Sequence, residues 1–194
     1  MAPAIQEILE LYAQGCFLMD NGGGLLWYRS PRHALIPLDH RFHIPASLRR
    51  ALNNPMFQTR INQDFAGVVQ GCATRGEQGG ETWISPALMR LYDRLHQQGY
   101  AHSFEIWIDN RLAGGIFGIG LGGAFIGESM FFRVPEASKV ALVRLVEHLR
   151  QRQFELFDAQ VQNPHLARFG AYELDEQQFL PLLTRALGQS RRFV

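Results

Sequence analysis

Hydrophobic and polar positions change rhythm several times along this chain. Segments 103–108, 112–119 and 124–132 show the alternation and apolar runs of strands, joined by turns at Asp109-Asn110-Arg111 and at 120–123. From 138 to 152 the period becomes helical. Leu142, Leu145 and Leu149 share one face, and Arg144, Glu147, His148 and Arg150 lie largely off it. An apolar strand follows at 154–158, then a short helix opened by Asn163-Pro164 and closed by Gly170. A strand at 172–174 and a helix at 177–187 end the pattern.

Upstream, Ile5, Ile8, Leu9 and Tyr12 keep helical spacing as far as Gly15. Asn21-Gly22-Gly23-Gly24 is a turn before a short strand at 25–28. Pro31, Pro37 and Pro45 leave 29–46 extended or irregular, and Ser47 is placed to cap a short helix at 48–52. A strand at 57–62 precedes a helix capped by Asp64. The stretch 74–81 is polar and glycine-rich, the composition of a mobile loop. Ser85-Pro86 then opens a helix that buries Leu88, Leu91, Tyr92 and Leu95 and stops at Gly99.

A helix between the strands at 124–132 and 154–158 implies a crossover, hence a parallel pair inside a mixed, mainly antiparallel sheet. Where such a pair splays, the carboxyl ends of its strands open a crevice. Acyltransferases of the GNAT-like type share this α+β layout. The glycine run from Gly118 to Gly123 is followed by a strand rather than a helix. It therefore reads as a hairpin, not as a dinucleotide loop.

Two acids and an amide interrupt these apolar strands: Glu128, Asp158 and Gln160. Alternation puts Asp158 and Gln160 on one face, and the crossover sets Glu128 on the neighbouring strand. Asp158 also fits a strand-end cap. Gln160 also reads as an incidental polar residue; if the three converge on the crevice, they form a polar group that would attract a cationic amine and hold it for attack. Ile116, Met130, Leu142, Leu145, Leu149 and Phe157 are core residues by default and candidate walls of an apolar pocket. Trp83 and Tyr92 are candidates to stack on a base, with buried structural aromatics as the plainer reading. The link at 133–137 lacks the glycines that would cradle the pyrophosphate of coenzyme A.

Bulk numbers narrow the field. With 194 residues, 46% of them hydrophobic, the chain suits one domain or one with a small appendage. Net charge is only +1, yet Arg29, Arg32, Arg41, Arg49, Arg50 and Arg60 share residues 29–60 with a single acid, Asp39. Such a local basic stretch suits phosphate and equally suits an ordinary solvated face. The two cysteines, Cys16 and Cys72, form neither a disulfide framework nor a zinc motif, and no metal is expected. No signal segment or membrane-length apolar run is evident, so a reducing cytoplasm is expected.

Taken in order, several stretches resemble the leucyl/phenylalanyl-tRNA–protein transferase family. They are Tyr12-Ala-Gln-Gly-Cys-Phe, Thr82-Trp-Ile, Tyr92-Asp-Arg-Leu-His, Ala101-His-Ser-Phe-Glu-Ile-Trp, Gly127-Glu-Ser-Met-Phe and Asp158-Ala-Gln. The resemblance departs at the opening segment, which is nearly absent here, and at Phe17-Leu18-Met19 and Trp27–Arg32. It implies a small, shortened N-terminal domain, residues 1–55, before a GNAT-like catalytic domain, 56–194. It implies transfer of leucine, phenylalanine or, less readily, methionine from aminoacyl-tRNA to proteins beginning with arginine or lysine, creating an N-degron. The catalytic pair falls on Asp158 and Gln160, and Glu128 helps to hold the acceptor. Ile116, Met130, Leu142, Leu145, Leu149 and Phe157 would form the side-chain pocket. Trp83, Tyr92 and Tyr12 would surround the aminoacyl-adenosine, and Arg49 and Arg50 would meet the tRNA. No cofactor is expected, and the protein is expected to be a monomer. A coenzyme-A-dependent N-acetyltransferase of the same fold and a non-catalytic RNA- or peptide-binding module are the alternatives.

Overall fold

The computed structural model describes residues 4–74 and 82–194. Most of the stretch read as a polar loop, 75–81, lies outside the described residues. Helix α1 (Ile5–Tyr12) leads into a hairpin of β1 (Cys16–Asp20) and β2 (Leu25–Arg29). Strand β3 (Arg32–Leu35), helix α2 (Arg49–Leu52) and strand β4 (Gln58–Ile61) follow. Helices α3 (Phe65–Ala73) and α4 (Pro86–Gln97) precede three long strands, β5 (Ala101–Ile108), β6 (Arg111–Leu121) and β7 (Ala124–Phe132). The chain ends with α5 (Ala137–Gln151), β8 (Leu156–Gln160), α6 (Pro164–Ala167), β9 (Tyr172–Asp175) and α7 (Glu176–Leu187).

Local chemistry accounts for most of these boundaries. Asp64 caps α3 by accepting from the Gly67 N–H at 2.9 Å, and Ser85 caps α4 through the Leu88 N–H. Asp109 and Asn110 both take left-handed φ, 47° and 58°, which closes β5 and β6 into a tight hairpin. Ser47, read as a helix cap, instead sits within a 3-10 turn, Ala46–Leu48, and caps nothing by its side chain.

Seven strands form the main sheet in the order β4-β5-β6-β7-β8-β3-β9. Every pairing is antiparallel except β7 with β8, which α5 connects. This is the mixed, mainly antiparallel α+β arrangement of the GNAT-like acyltransferases. Helices α1, α3 and α4 cover one face through Tyr12, Val68, Leu88 and Tyr92, which share a cluster with Phe117 of β6. Helix α5 covers the other through Val140, Leu142, Leu145 and Leu149. Helix α7 packs Phe179 and Leu183 against β3 and β8. Near the C-terminus, Phe193 joins the core beside α5, and its carbonyl accepts from His148 Nε2 at 2.7 Å.

Two strands differ from the sequence expectation. Residues 16–20, for which the pattern predicts no element, form β1. Residues 32–35, within the stretch read as irregular, form β3 in the interior of the main sheet. Strand β3 thus pairs with β8 and β9 although it lies on the N-terminal side of residue 55.

The glycine run does form a hairpin, with Gly122 at φ 53°. Gly118 has a different task. It lies at a register shift between β6 and β7, and a Cβ there would run into the Ile126 carbonyl oxygen and the Phe125 ring. The obstacle is backbone, so the strands themselves must part. Gly118→Ala is expected to destabilise by about 2–3 kcal/mol and to lower Tm by roughly 5–10 °C, measured by calorimetry.

Candidate active site

Strands β7 and β8 pair only at Ala124–Leu156, Phe125–Phe157 and Ile126–Asp158. Beyond Ile126, β7 continues to Phe132 without β8 beside it. The sheet is split there, and a cleft of about 500 Å³ opens along the split. Ile116, Met130, Leu142 and Phe157 line it from the sheet and α5. Phe17 and Met19 of the hairpin and Trp83 line it from the opposite face. Phe17 and Leu18 bury the hairpin in the core there, and the Asp20 N–H donates to the Trp83 carbonyl at 3.3 Å. Leu145 and Leu149 do not line the cleft. They are fully buried in the core beneath α5, since helical period fixes a face but not the depth along it.

Glu128 lies at this split with its carboxylate turned into the protein. Its Oε2 accepts from the Tyr92 hydroxyl at 2.8 Å, and its Oε1 is buried without a hydrogen-bond partner. Burial raises the Glu128 pKa to about 7. The Tyr92 hydrogen bond works against that rise, as do the nearby polar groups of Tyr12 and Gln160, and the Asp158 charge adds to it. Burial, reinforced by the neighbouring Glu128 charge, pushes the Tyr12 and Tyr92 phenols well above their usual value. Both rings are buried, 1% and 0% exposed, and neither lines the cleft. They surround Glu128 rather than offering open faces.

Asp158 and Gln160 part company. A register shift against β3 pairs Ala34 with Gln160 and Leu35 with Asp158, so Ala159 is an extra residue on β8. Gln160 then takes a left-handed φ of 64°, a strained value for a non-glycine residue. Simple alternation fails at this bulge. Phe157, Ala159 and Gln160 line the cleft, whereas Asp158 lies behind it. Asp158 Oδ1 accepts from the Gln160 backbone N–H at 2.8 Å, and its Oδ2 lies 3.3 Å from His33 Nδ1. The Gln160 side chain reaches back to β7, donating to the Gly127 carbonyl at 3.3 Å. Asp158 therefore caps the strand end, holding Gln160 through its backbone N–H.

Arg49 and Arg50 are exposed on α2, where Arg50 borders a separate hollow with Pro135 and Glu136. Sequence reasoning missed Phe17 and Met19, although Phe17-Leu18-Met19 and Leu25–Trp27 flank an Asn-Gly turn, a hairpin signal. It also missed His33, for which a histidine in a short apolar run was the sole sign. No group of three or more His, Cys, Asp or Glu among the described residues is arranged to hold a metal ion. None of the described helices is long and apolar enough to cross a membrane.

The cleft can hold an apolar side chain and bring an amine to Glu128 and Gln160 at its polar end. Comparison with known proteins points the same way. The family model described as leucyl/phenylalanyl-tRNA protein transferase matches residues 35–184, and that of its N-terminal domain matches residues 1–31. A leucyl/phenylalanyl-tRNA–protein transferase from Synechocystis sp. is 58% identical over 97% of this chain and 94% of its own. That of a Synechococcus sp. is also 58% identical, over 97% of each chain. Among solved structures, FemX aligns with a TM-score of 0.60 over 88% of this chain and 66% of its own. At 11% identity that is a likeness of fold.

Proposed function

The chain belongs to the leucyl/phenylalanyl-tRNA–protein transferase family, and from that premise we propose its substrates and the roles of its site residues. It is an aminoacyltransferase that uses aminoacyl-tRNA and protein. In this reading it moves leucine or phenylalanine, and less readily methionine, onto the α-amine of proteins that begin with arginine or lysine. The product is an N-degron, and the enzyme works as a monomer in the cytoplasm. One observation carries the reading: Glu128 and Gln160 meet at the polar end of an apolar cleft, where β7 and β8 part.

The apolar side chain occupies the cleft between Ile116, Met130, Leu142 and Phe157. Two methionines, Met19 and Met130, give its wall an adaptable surface, which suits overlap among the three amino acids. Trp83 is the aromatic open to the adenosine, and exposed Arg49 and Arg50 are assigned to tRNA phosphates. The acceptor amine enters at Glu128 and donates a hydrogen bond to the Gln160 amide oxygen. Its nitrogen attacks the ester carbonyl. The new C–N bond forms, the C–O bond to the terminal ribose breaks, and the amine proton ends on the departing ribose hydroxyl. An aminoacyl ester is already activated, so positioning and desolvation supply most of the acceleration. Coenzyme A has no part in this reading. An acid, Glu136, stands at the start of α5, where a pyrophosphate would need donors.

Radiolabelled leucyl-tRNA offered with an arginine-first peptide tests the reading, with acetyl-CoA as the competing donor. Transfer from tRNA is expected, and acetylation alone would overturn it. Glu128 adds a pH signature. With a pKa of about 7, its charged fraction rises roughly tenfold between pH 6 and 8. The KM for the arginine-first peptide is expected to fall by about that factor as pH rises, and to stay flat in Glu128→Gln. The same group acts on stability with the opposite sign. Its folded pKa exceeds the ordinary 4.5. The stability it contributes is full below that value and is lost as pH rises through about 7, on the order of 3 kcal/mol. Urea titrations at pH 5 and 8 are expected to show this loss in the parent and not in Glu128→Gln. An unchanged KM profile in that variant would remove Glu128 from acceptor binding.

A further inference from the structure

His33 is 1% exposed on β3, the strand inserted beside β8. Its ring lies flat on Phe179 of α7, with centroids 3.7 Å apart and planes 8° from parallel. Nδ1 stands 3.3 Å from Asp158 Oδ2, while Nε2 is buried with no hydrogen-bond partner. That asymmetry fixes the tautomer. A proton on Nε2 would be a buried donor without an acceptor, whereas a proton on Nδ1 meets a carboxylate. His33 therefore donates through Nδ1 to Asp158.

Asp158 in turn is held at both oxygens, by His33 on Oδ2 and by the Gln160 N–H on Oδ1. The second contact closes the turn in which Gln160 keeps its left-handed φ of 64°. Without a fixed Asp158, Gln160 has less reason to hold a strained backbone or to send its side chain across to Gly127. We infer that His33 is a positioning residue for the transfer reaction: its Nδ1–H anchors Asp158, and Asp158 sets the backbone turn that presents the Gln160 amide at the cleft. It touches no substrate. The inference rests on the reading of Gln160 as the group that receives the acceptor amine.

Two substitutions separate the donor from the ring. His33→Phe keeps the stack on Phe179 and loses the donor. His33→Asn loses the stack but places an amide N–H where Nδ1–H stood. His33→Phe is expected to lower kcat roughly ten- to a hundredfold, the rate equivalent of one hydrogen bond to a charged group, with the KM for leucyl-tRNA within about threefold. His33→Asn is expected to recover kcat to within about fivefold of the parent although its Tm falls, an outcome that packing alone would not give. In an Asp158→Ala background, His33→Phe is expected to add no further loss. Where His33→Phe yields no folded protein, His33→Gln, whose amide lies beyond the Nδ1 position, takes its place with the same expectations.

The inference is overturned if His33→Phe keeps the parent kcat, if His33→Asn is as slow as His33→Phe, or if the His33 and Asp158 losses multiply. Failure of the underlying reading looks different. Parent activity in Asp158→Ala and Gln160→Ala would remove the site assignment itself. Slow Asp158→Ala beside unaffected His33→Phe would remove only the role of His33.

Discussion

Gln160→Ala is expected to slow aminoacyl transfer about a hundred- to a thousandfold at saturating aminoacyl-tRNA, the usual effect of removing one prearranged polar group at a reacting centre. The reason lies in how much structure is committed to one amide. A bulge, a left-handed turn and the Asp158 carboxylate together aim the Gln160 side chain at the cleft. Alanine keeps the turn and removes the amide. In the proposed reading Ile116, Met130, Leu142 and Phe157 hold the apolar side chain, and the substitution leaves them in place, so the loss should fall on kcat and leave KM for leucyl-tRNA within about threefold. Single-turnover rates with an arginine-first peptide are the measurement. A parent-like rate would move the hydrogen bond from the acceptor amine to Glu128, another polar side chain at the split.

The largest effect on stability is expected away from the cleft, at Glu105. This carboxylate is 0% exposed, in the middle of β5. Its Oε1 accepts from the Asp64 N–H at 2.9 Å and from the Ser103 hydroxyl at 2.7 Å, and its Oε2 accepts from Trp107 Nε1 at 2.7 Å. Glu105→Ala leaves three donors without their acceptor and opens a hole between them. At about 1.5 kcal/mol for each stranded donor the loss is about 4–5 kcal/mol, or roughly 10–15 °C in Tm. Thermal unfolding of Glu105→Ala against the parent measures it, and a shift under about 3 °C would show that water replaces the carboxylate. The stretch Ala101-His-Ser-Phe-Glu-Ile-Trp is thus a hydrogen-bond node that joins β5 to the start of α3. It takes no part in the cleft.

The three long strands, the crossover helix and hence the split sheet are legible in the periodicity of the chain alone. Each element there is long and bounded by strong turn or cap chemistry, as at Asp109-Asn110 and Ser85-Pro86. Strand β3 is not legible in that way. It has four residues, lies between Pro31 and Pro37, and draws its stability from partners more than a hundred residues away. The orientation of Asp158 is hidden for a related reason. A bulge against β3 breaks the alternation on which the expectation stands. Leu142 and Leu149 illustrate a third limit. They share a helical face, yet only Leu142 reaches the cleft, because the neighbouring strand diverges at one end of the helix.

Strand β3 also has a consequence for how this protein comes into being. It leaves the ribosome well before β8 and β9, between which it must settle. His33 and Asp158 are 125 residues apart in the chain. Closing so large a loop is slow, and until then β3 has no partner on either side. Synthesis is vectorial, so this part of the sheet closes only when β8 and β9 arrive around the earlier strand. That same event sets Asp158 against His33 and bends Gln160 toward the cleft. A nascent chain therefore acquires the Gln160 turn only once β8 and β9 have emerged.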